Sequence, residues 1–167
     1  MDGDARTSVS LVDLKAVPAS AALALNNEHQ VETSALDAGS YGRLIDAAGF
    51  AMAAGHAPDA FLIAFSDASV HDNGHLTWFR ERHRRFYYVD RVIVALSARG
   101  RGLAQILYGA MMDQARAEGR LVVGCEINLV PPNPGSDALH ARLGFSEIGR
   151  RQLGDGKIVR YMRRELS

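Results

Sequence analysis

Residues 92–104, VIVALSARGRGLA, constrain the fold more than any other stretch of the chain. The β-branched run Val92-Ile93-Val94 favours a strand. It leads to Arg99-Gly100-Arg101-Gly102-Leu103-Ala104, and from there Leu103, Ile106, Leu107, Ala110, Met111 and Gln114 recur at helical spacing, all but the last apolar or small. A strand runs out, and a glycine-bearing turn opens the N-terminus of a helix. The N–H groups of a first helical turn have no intrahelical partner, and the macrodipole adds partial positive charge there. Such a turn suits a phosphate or pyrophosphate. Gly100 and Gly102 allow the close backbone approach this needs. Arg99 and Arg101 add charge that does not titrate near neutrality. A Walker-type loop would end in Gly-Lys-Ser/Thr, which is missing, and a dinucleotide fingerprint would require a third glycine where Gln105 stands.

At 167 residues the chain can bury one substantial core, and with no repeat, linker or low-complexity tract it reads as a single domain over residues 1–167. A formal net charge of zero argues against a surface built to bind nucleic acid. Cys125 is the one cysteine, which forbids an internal disulfide and fits a reducing cytoplasm. It reads as a small core residue, not a nucleophile. The N-terminal residues lack the basic and apolar regions of a signal peptide, and no apolar run reaches the roughly 20 residues that span a bilayer. A cytoplasmic protein without a membrane partner is expected, and no metal.

Residues 7–14 alternate roughly and could form a first strand. Residues 19–25 read as a helix ended by Asn26-Asn27-Glu28-His29, and Ser34 or Asp37 could cap a second helix carrying Tyr41, Leu44 and Ile45. Two apolar runs, 50–54 and 60–66, form a hairpin around Gly55-His56-Ala57-Pro58-Asp59, followed by a polar loop over 66–74. Residues 78–88 mix aromatics with Arg and His. They read as a solvated arm whose aromatics turn to the core, or as a basic surface for RNA or an anionic acceptor. Residues 86–94 form the strand entering the turn, with Tyr88, Asp90, Val92 and Val94 on one face and Tyr87, Val89, Arg91 and Ile93 on the other. Gly119 can end the long helix. Residues 121–127 suit a buried parallel strand, which makes 86–127 a βαβ unit. After Pro131-Pro132-Asn133-Pro134-Gly135, Ser136 or Asp137 caps a short helix over 138–143. Phe145 then begins a strand that pairs in a hairpin with 158–163.

The hexapeptide 99–104, with its strand before and helix after, resembles the acetyl-CoA signature of the GNAT superfamily of N-acetyltransferases: Arg or Gln, two residues, Gly, one residue, then Gly or Ala. A second motif agrees. GNAT proteins often carry Asn, a small residue three on, Tyr four further on, then Gly-Phe. Here those positions hold Asn133, Ser136, His140 and Gly144-Phe145. The resemblance covers the C-terminal half of the chain and departs from the common pattern at His140, where the tyrosine would stand.

The resemblance implies an α/β (α+β) fold: a mixed, mostly antiparallel twisted sheet with a central parallel βαβ unit and flanking helices. It implies direct transfer of the acetyl group of acetyl-CoA to a primary amine of a small molecule or peptide. The pyrophosphate would sit on Arg99, Gly100, Arg101, Gly102, Leu103 and Ala104. The backbone of Val92, Ile93 and Val94 would pair with the pantetheine amides and donate to the developing oxyanion. Asn133, with Ser136, would order the pantetheine side. A homodimer is common in such proteins, though nothing in the sequence specifies an interface.

An alkyl amine has a pKa near ~10 and must lose a proton. Asp90 and Glu126 are the candidate bases, since a carboxylate in an otherwise apolar strand is paired or tuned. For each, a salt bridge is the structural alternative, Glu126 with Arg91 or Arg142. His140 is the candidate acid for the departing thiolate, directly or through a water, and helix packing is its alternative. Asn27, Glu28 and His29 could reach the acceptor or simply end their helix. Two other functions fit the same residues: a catalytically inert acetyl-CoA-binding regulatory module, and an RNA-directed transferase using the arginines of 80–91.

Overall fold

A computed structural model describes residues 8–29, 33–71 and 73–167. Seven strands form one sheet: β1 (Leu11–Asp13), β2 (Phe50–Ala54), β3 (Ala60–Ser66), β4 (Phe86–Val94), β5 (Val122–Val130), β6 (Ser146–Gln152) and β7 (Ile158–Glu165), in the spatial order β1-β2-β3-β4-β5-β7-β6. All neighbours are antiparallel except β4 and β5. Five α-helices flank the sheet: α1 (Ala19–Glu28), α2 (Ala38–Ala47), α3 (Gly74–Arg80), α4 (Leu103–Ala117) and α5 (Pro134–Arg142). The mixed sheet with its parallel pair and flanking helices is the architecture expected from the sequence.

The core divides by face. On one face α4 lays Leu103, Leu107, Met111 and Ala115 against Leu62, Tyr87 and Val123. On the other, α1 and α2 bury Leu25, Tyr41 and Ile45 against Phe61 and Ile93, and α3 buries Leu76 and Phe79 against Phe65, Phe86 and Tyr88. The β2–β3 hairpin and the bounds of β4 match their patterns. Gly119 follows the last turn of α4 at φ 72°, the left-handed conformation that ends helices and that glycine adopts at least cost.

Several elements differ from the sequence reading. The first strand is confined to Leu11–Asp13, because Leu14 already belongs to a 3-10 turn, and Thr7 lies outside the described residues. α1 runs on through Asn26 and Asn27, which use their side chains to hold the next segment: Asn26 Nδ2 donates to the Ser34 carbonyl, and Asn27 exchanges bonds with the Leu36 backbone. Asp37, not Ser34, caps α2, its carboxylate accepting from the Ser40 N–H at 2.7 Å. α5 starts two to three residues before the expected cap. Asn133 is its N-cap and Pro134 its first residue, a place where proline's missing N–H costs nothing. β5 extends to Val130 and β7 to Glu165.

Helix α3 stands where a polar loop and arm were expected. Asn73 caps it, accepting from the N–H groups of His75 and Leu76, so Asn73-Gly74 opens a helix instead of a turn. Two glycines seat it. A Cβ on Gly124 of β5 would lie 2.3 Å from Phe79, and one on Gly149 of β6 would lie 2.8 Å from Trp78. Trp78 in turn stacks on Tyr161 with ring centroids 3.8 Å apart.

The face assignment along β4 is corrected by a β-bulge. Ile63 pairs with Arg91 but its neighbour Ala64 pairs with Val89, which leaves Asp90 as an extra residue. The extra residue shifts the alternation by one. Val92 and Val94 therefore share the α4 face with Tyr87 and Val89, while Tyr88 and Ile93 face the other helices.

Candidate active site

β4 and β5 are paired only over Phe86–Tyr88 and Val122–Gly124. Beyond that, β4 runs on to Val94 and β5 to Val130 without meeting. The cause lies on both sides of the gap. The bulge at Asp90 bends and twists β4 away, and β5 stays zipped to β7 along nearly its whole length. Backbone groups on the open side of β4 past Tyr88 thus have no strand partner. A cavity of about 910 Å³ opens there, lined by Val92, Ile93 and Val94 on one wall and by Cys125, Glu126 and Ile127 on the other.

At one end lies the glycine turn. Gly100 (φ 81°) and Gly102 (φ 72°) both take the left-handed conformation, and Gly102 is the N-cap of α4. Its carbonyl accepts the first helical bond, from the Ile106 N–H. The N–H groups of the turn before Ile106 are left to point out of the helix end. Arg99, Gly100, Gly102, Leu103 and Ala104 line the cavity. Arg101 does not: its guanidinium pairs with Asp59 at 3.0 Å.

Asn133 and Ser136 line the cavity from α5, where the Asn133 side chain accepts from the Ser136 N–H at 3.2 Å. His140 also lines it but is only 3% exposed. Its Nδ1 lies 2.7 Å from the Ser136 carbonyl, which can only accept, so Nδ1 carries the hydrogen. Nε2 is then a lone pair, and it receives the Tyr108 hydroxyl at 2.6 Å. Burial holds this histidine below its ordinary pKa, with the Ser136 bond and Asp137 pulling the other way. The ring is neutral at neutral pH, and its Nε2 is taken up by Tyr108, which also lines the cavity. Tyr108 was overlooked in the sequence because it sits beside the apolar stripe of α4. Its signal was a hydroxyl in a core, which needs a partner.

The opposite end of the cavity is formed by the bulge, α3 and the segment after α1. Asp90 is ion-paired: it accepts from Arg91 Nε at 2.8 Å and from Asn73 Nδ2 at 3.3 Å. Arg91 also donates to Asn26 Oδ1. Glu126 pairs with neither Arg91 nor Arg142. It accepts from the buried Tyr88 hydroxyl, and its Oε1 faces His75 Nε2 at 3.9 Å. Burial pushes the Glu126 carboxyl up to about 8; the Tyr88 bond opposes this and the Asp90 charge adds to it. Its side chain keeps 18% exposure, toward the cavity. Of the three residues ending α1, His29 lines the cavity, Glu28 is exposed, and Asn27 is engaged with Leu36. Cys125 is buried, and burial raises its thiol well above the usual range, as fits a core residue.

The sequence profile of the acetyltransferase (GNAT) family matches residues 26–145. A phosphinothricin N-acetyltransferase of Streptomyces coelicolor is 38% identical over 72 residues, a stretch that covers 42% of this chain and 40% of that relative. Among solved structures, yncA from Salmonella typhimurium, with its cofactor acetyl-CoA, superposes with a TM-score of 0.69 at 18% identity, over 96% of this chain and 95% of that one. The ribosomal-protein-alanine N-acetyltransferase of Brucella melitensis gives 0.68 at 20% identity, over 95% of this chain and all of that one. The seven-stranded mixed sheet with its flanking helices is the fold these structures share. The chain belongs to the acetyltransferase (GNAT) family, whose acetyl donor is acetyl-CoA. Among the described residues no helix is long and apolar enough to cross a membrane.

Proposed function

We propose that this chain transfers the acetyl group of acetyl-CoA directly to a primary amine of a small molecule or peptide. The observation that carries this reading is the gap between β4 and β5, closed at one end by the glycine turn of α4. The residues fit the donor. The N–H groups at the start of α4, with Arg99, suit its pyrophosphate. The backbone groups of Val92, Ile93 and Val94 on the open edge of β4 suit its pantetheine amides, which would add to β4 as a further strand does. Bound acetyl-CoA supplies an acetyl group activated as a thioester.

The chain's own residues handle charge and protons around it. A backbone N–H of β4 stabilises the oxygen on which negative charge develops. Glu126, with a carboxyl near 8, is poised to take the amine's proton close to neutral pH. Asp90 sets the field of that end of the cavity as the fixed partner of Arg91. Tyr108 lines the cavity with its hydroxyl donated to neutral His140, and the thiolate of CoA leaves as the new amide bond forms. Tyr108→Phe should leave His140 Nε2 buried and unpartnered, costing ~1–3 kcal/mol by thermal or urea unfolding, and should slow transfer.

The test is thermal unfolding with and without acetyl-CoA, on the wild type and on Gly102→Glu, which forces a side chain into left-handed backbone and puts a carboxylate where phosphate belongs. Acetyl-CoA at about 100 times its Kd should stabilise the wild type by ~2.7 kcal/mol, roughly 5–10 °C for a chain of this size. The shift should vanish in a folded Gly102→Glu. Thiol release from acetyl-CoA against a panel of amines then reads transfer itself. No shift in folded wild type would overturn the proposal.

A further inference from the structure

Nothing in the sequence singled out His75, yet the fold delivers it to the reacting end of the cavity. It lies in the first turn of α3, with its side chain 22% exposed. Side chains of β5, β6 and β7 surround its ring. Nδ1 is 2.8 Å from the Tyr161 hydroxyl of β7 and 3.5 Å from Arg151 Nη2 of β6. Nε2 faces Glu126 Oε1 of β5 at 3.9 Å. From β4, Asp90 acts on it at longer range, and Tyr88 holds the other oxygen of the same Glu126 carboxylate.

These contacts fix the tautomer. A guanidinium has only hydrogens to offer, so Nδ1, which faces Arg151, is the accepting nitrogen, and the Tyr161 hydroxyl donates to it. Nε2 then carries the ring's hydrogen and aims it at Glu126. Burial and the Arg151 charge keep the ring neutral, with Asp90 opposing them. The seat of α3 holds this arrangement. Phe79, one helical turn beyond His75, occupies the space left by Gly124, two residues before Glu126 on the same face of β5. Trp78, stacked on Tyr161, fixes the ring that carries the donating hydroxyl.

We propose that His75 is the positioning residue of the base: α3 holds its Nε2–H against the Glu126 carboxylate, aiming one oxygen and favouring the ionised form that accepts the amine's proton. The inference rests on the reading of Glu126 as that base. The gap of 3.9 Å is longer than a hydrogen bond, so the contact must close directly or through one water when the acceptor binds, as catalytic contacts commonly do.

The experiment is the pH profile of kcat/KM for the best amine of the panel, with wild type, His75→Leu and His75→Gln. The leucine variant fills the site but offers no hydrogen. Its rising limb should move up by about one pH unit, with a loss of ~10-fold at pH 7, and KM for acetyl-CoA should not change. The glutamine variant, whose amide can both accept from Tyr161 and donate to Glu126, should recover to within about threefold of the wild type. The acetyl-CoA melting shift verifies that each variant is folded. Should His75→Leu not fold, the limb is read in Tyr161→Phe, which releases Nδ1, and an unmoved limb there overturns the inference. An unmoved limb in His75→Leu overturns it too, as does a glutamine variant no better than leucine, while wild-type activity keeps the function itself intact. A wild type inactive toward the whole panel removes both.

Discussion

Replacing Glu126 with glutamine should lower kcat by about 10²–10⁴-fold while leaving the acetyl-CoA melting shift in place. The amide keeps the shape and the Tyr88 contact but cannot take a proton. The same variant has a stability signature of its own, set by the burial of the carboxyl. In the folded protein the carboxyl is held at about 8, against an ordinary value of 4.5. Between those values the folded state binds a proton that the unfolded state has lost, so stability falls as pH rises from the lower value through the upper one. Glutamine has no proton to lose. The two proteins should melt alike near pH 4, and the variant should gain on the wild type up to pH 9. At ~1.36 kcal/mol per pKa unit the gain is bounded at about 5 kcal/mol. Melting curves across that range, on the free protein, measure it. A gap that does not widen with pH would mean that the carboxylate is better solvated than its surroundings imply.

The second large effect is expected at Gly124. Alanine there would place its Cβ 2.3 Å from the ring of Phe79, which is fully buried and already packed against Phe86, Tyr88 and His83. The ring has nowhere to go, so α3 must lift. Overpacking of this kind costs ~1–3 kcal/mol, or roughly 2–12 °C in Tm. Because α3 carries His75 and packs into a different core cluster from α4, the loss in activity should fall on kcat and on KM for the amine, with KM for acetyl-CoA unchanged. Adding Phe79→Leu should restore part of both, and a double-mutant cycle would read the coupling. Additive losses would mean that Gly124 acts by some route other than the seat of α3.

The turn end of the cavity was legible in the sequence and the opposite end was not, for a physical reason. The glycine turn is local: strand, glycines and helix follow one another in 92–104, so spacing alone brings them together. Asn133, Ser136 and His140 are likewise within one helix and its cap. The opposite end is assembled from elements far apart in the chain, and its geometry depends on two events that local pattern hides. One is the bulge at Asp90, which changes the side of the sheet that each later residue of β4 faces. The other is α3, whose opening Asn73-Gly74 looks like a turn and whose seven residues are too few to show a helical period. With α3 missing, His75 had no place. Glu126 could be picked out as an anomaly in an apolar strand, but its partners, Tyr88 and His75, lie 38 and 51 positions away and only the fold joins them.

The short pairing between β4 and β5 has a mechanical consequence. Among the described residues, three backbone-paired positions join the four strands on one side to the three on the other. The sheet behaves as two panels sharing a short hem, with α4 as the strap across it. In the proposed function the donor lies along the unhemmed edge of β4 and would extend that stitching, so its affinity and the stiffness of the protein would be one free energy seen from two sides. Amide hydrogen exchange should show it: the β4 amides of residues 91–94 on the open edge should exchange faster than those of β3 in the free protein, and slow most of all when the donor arrives.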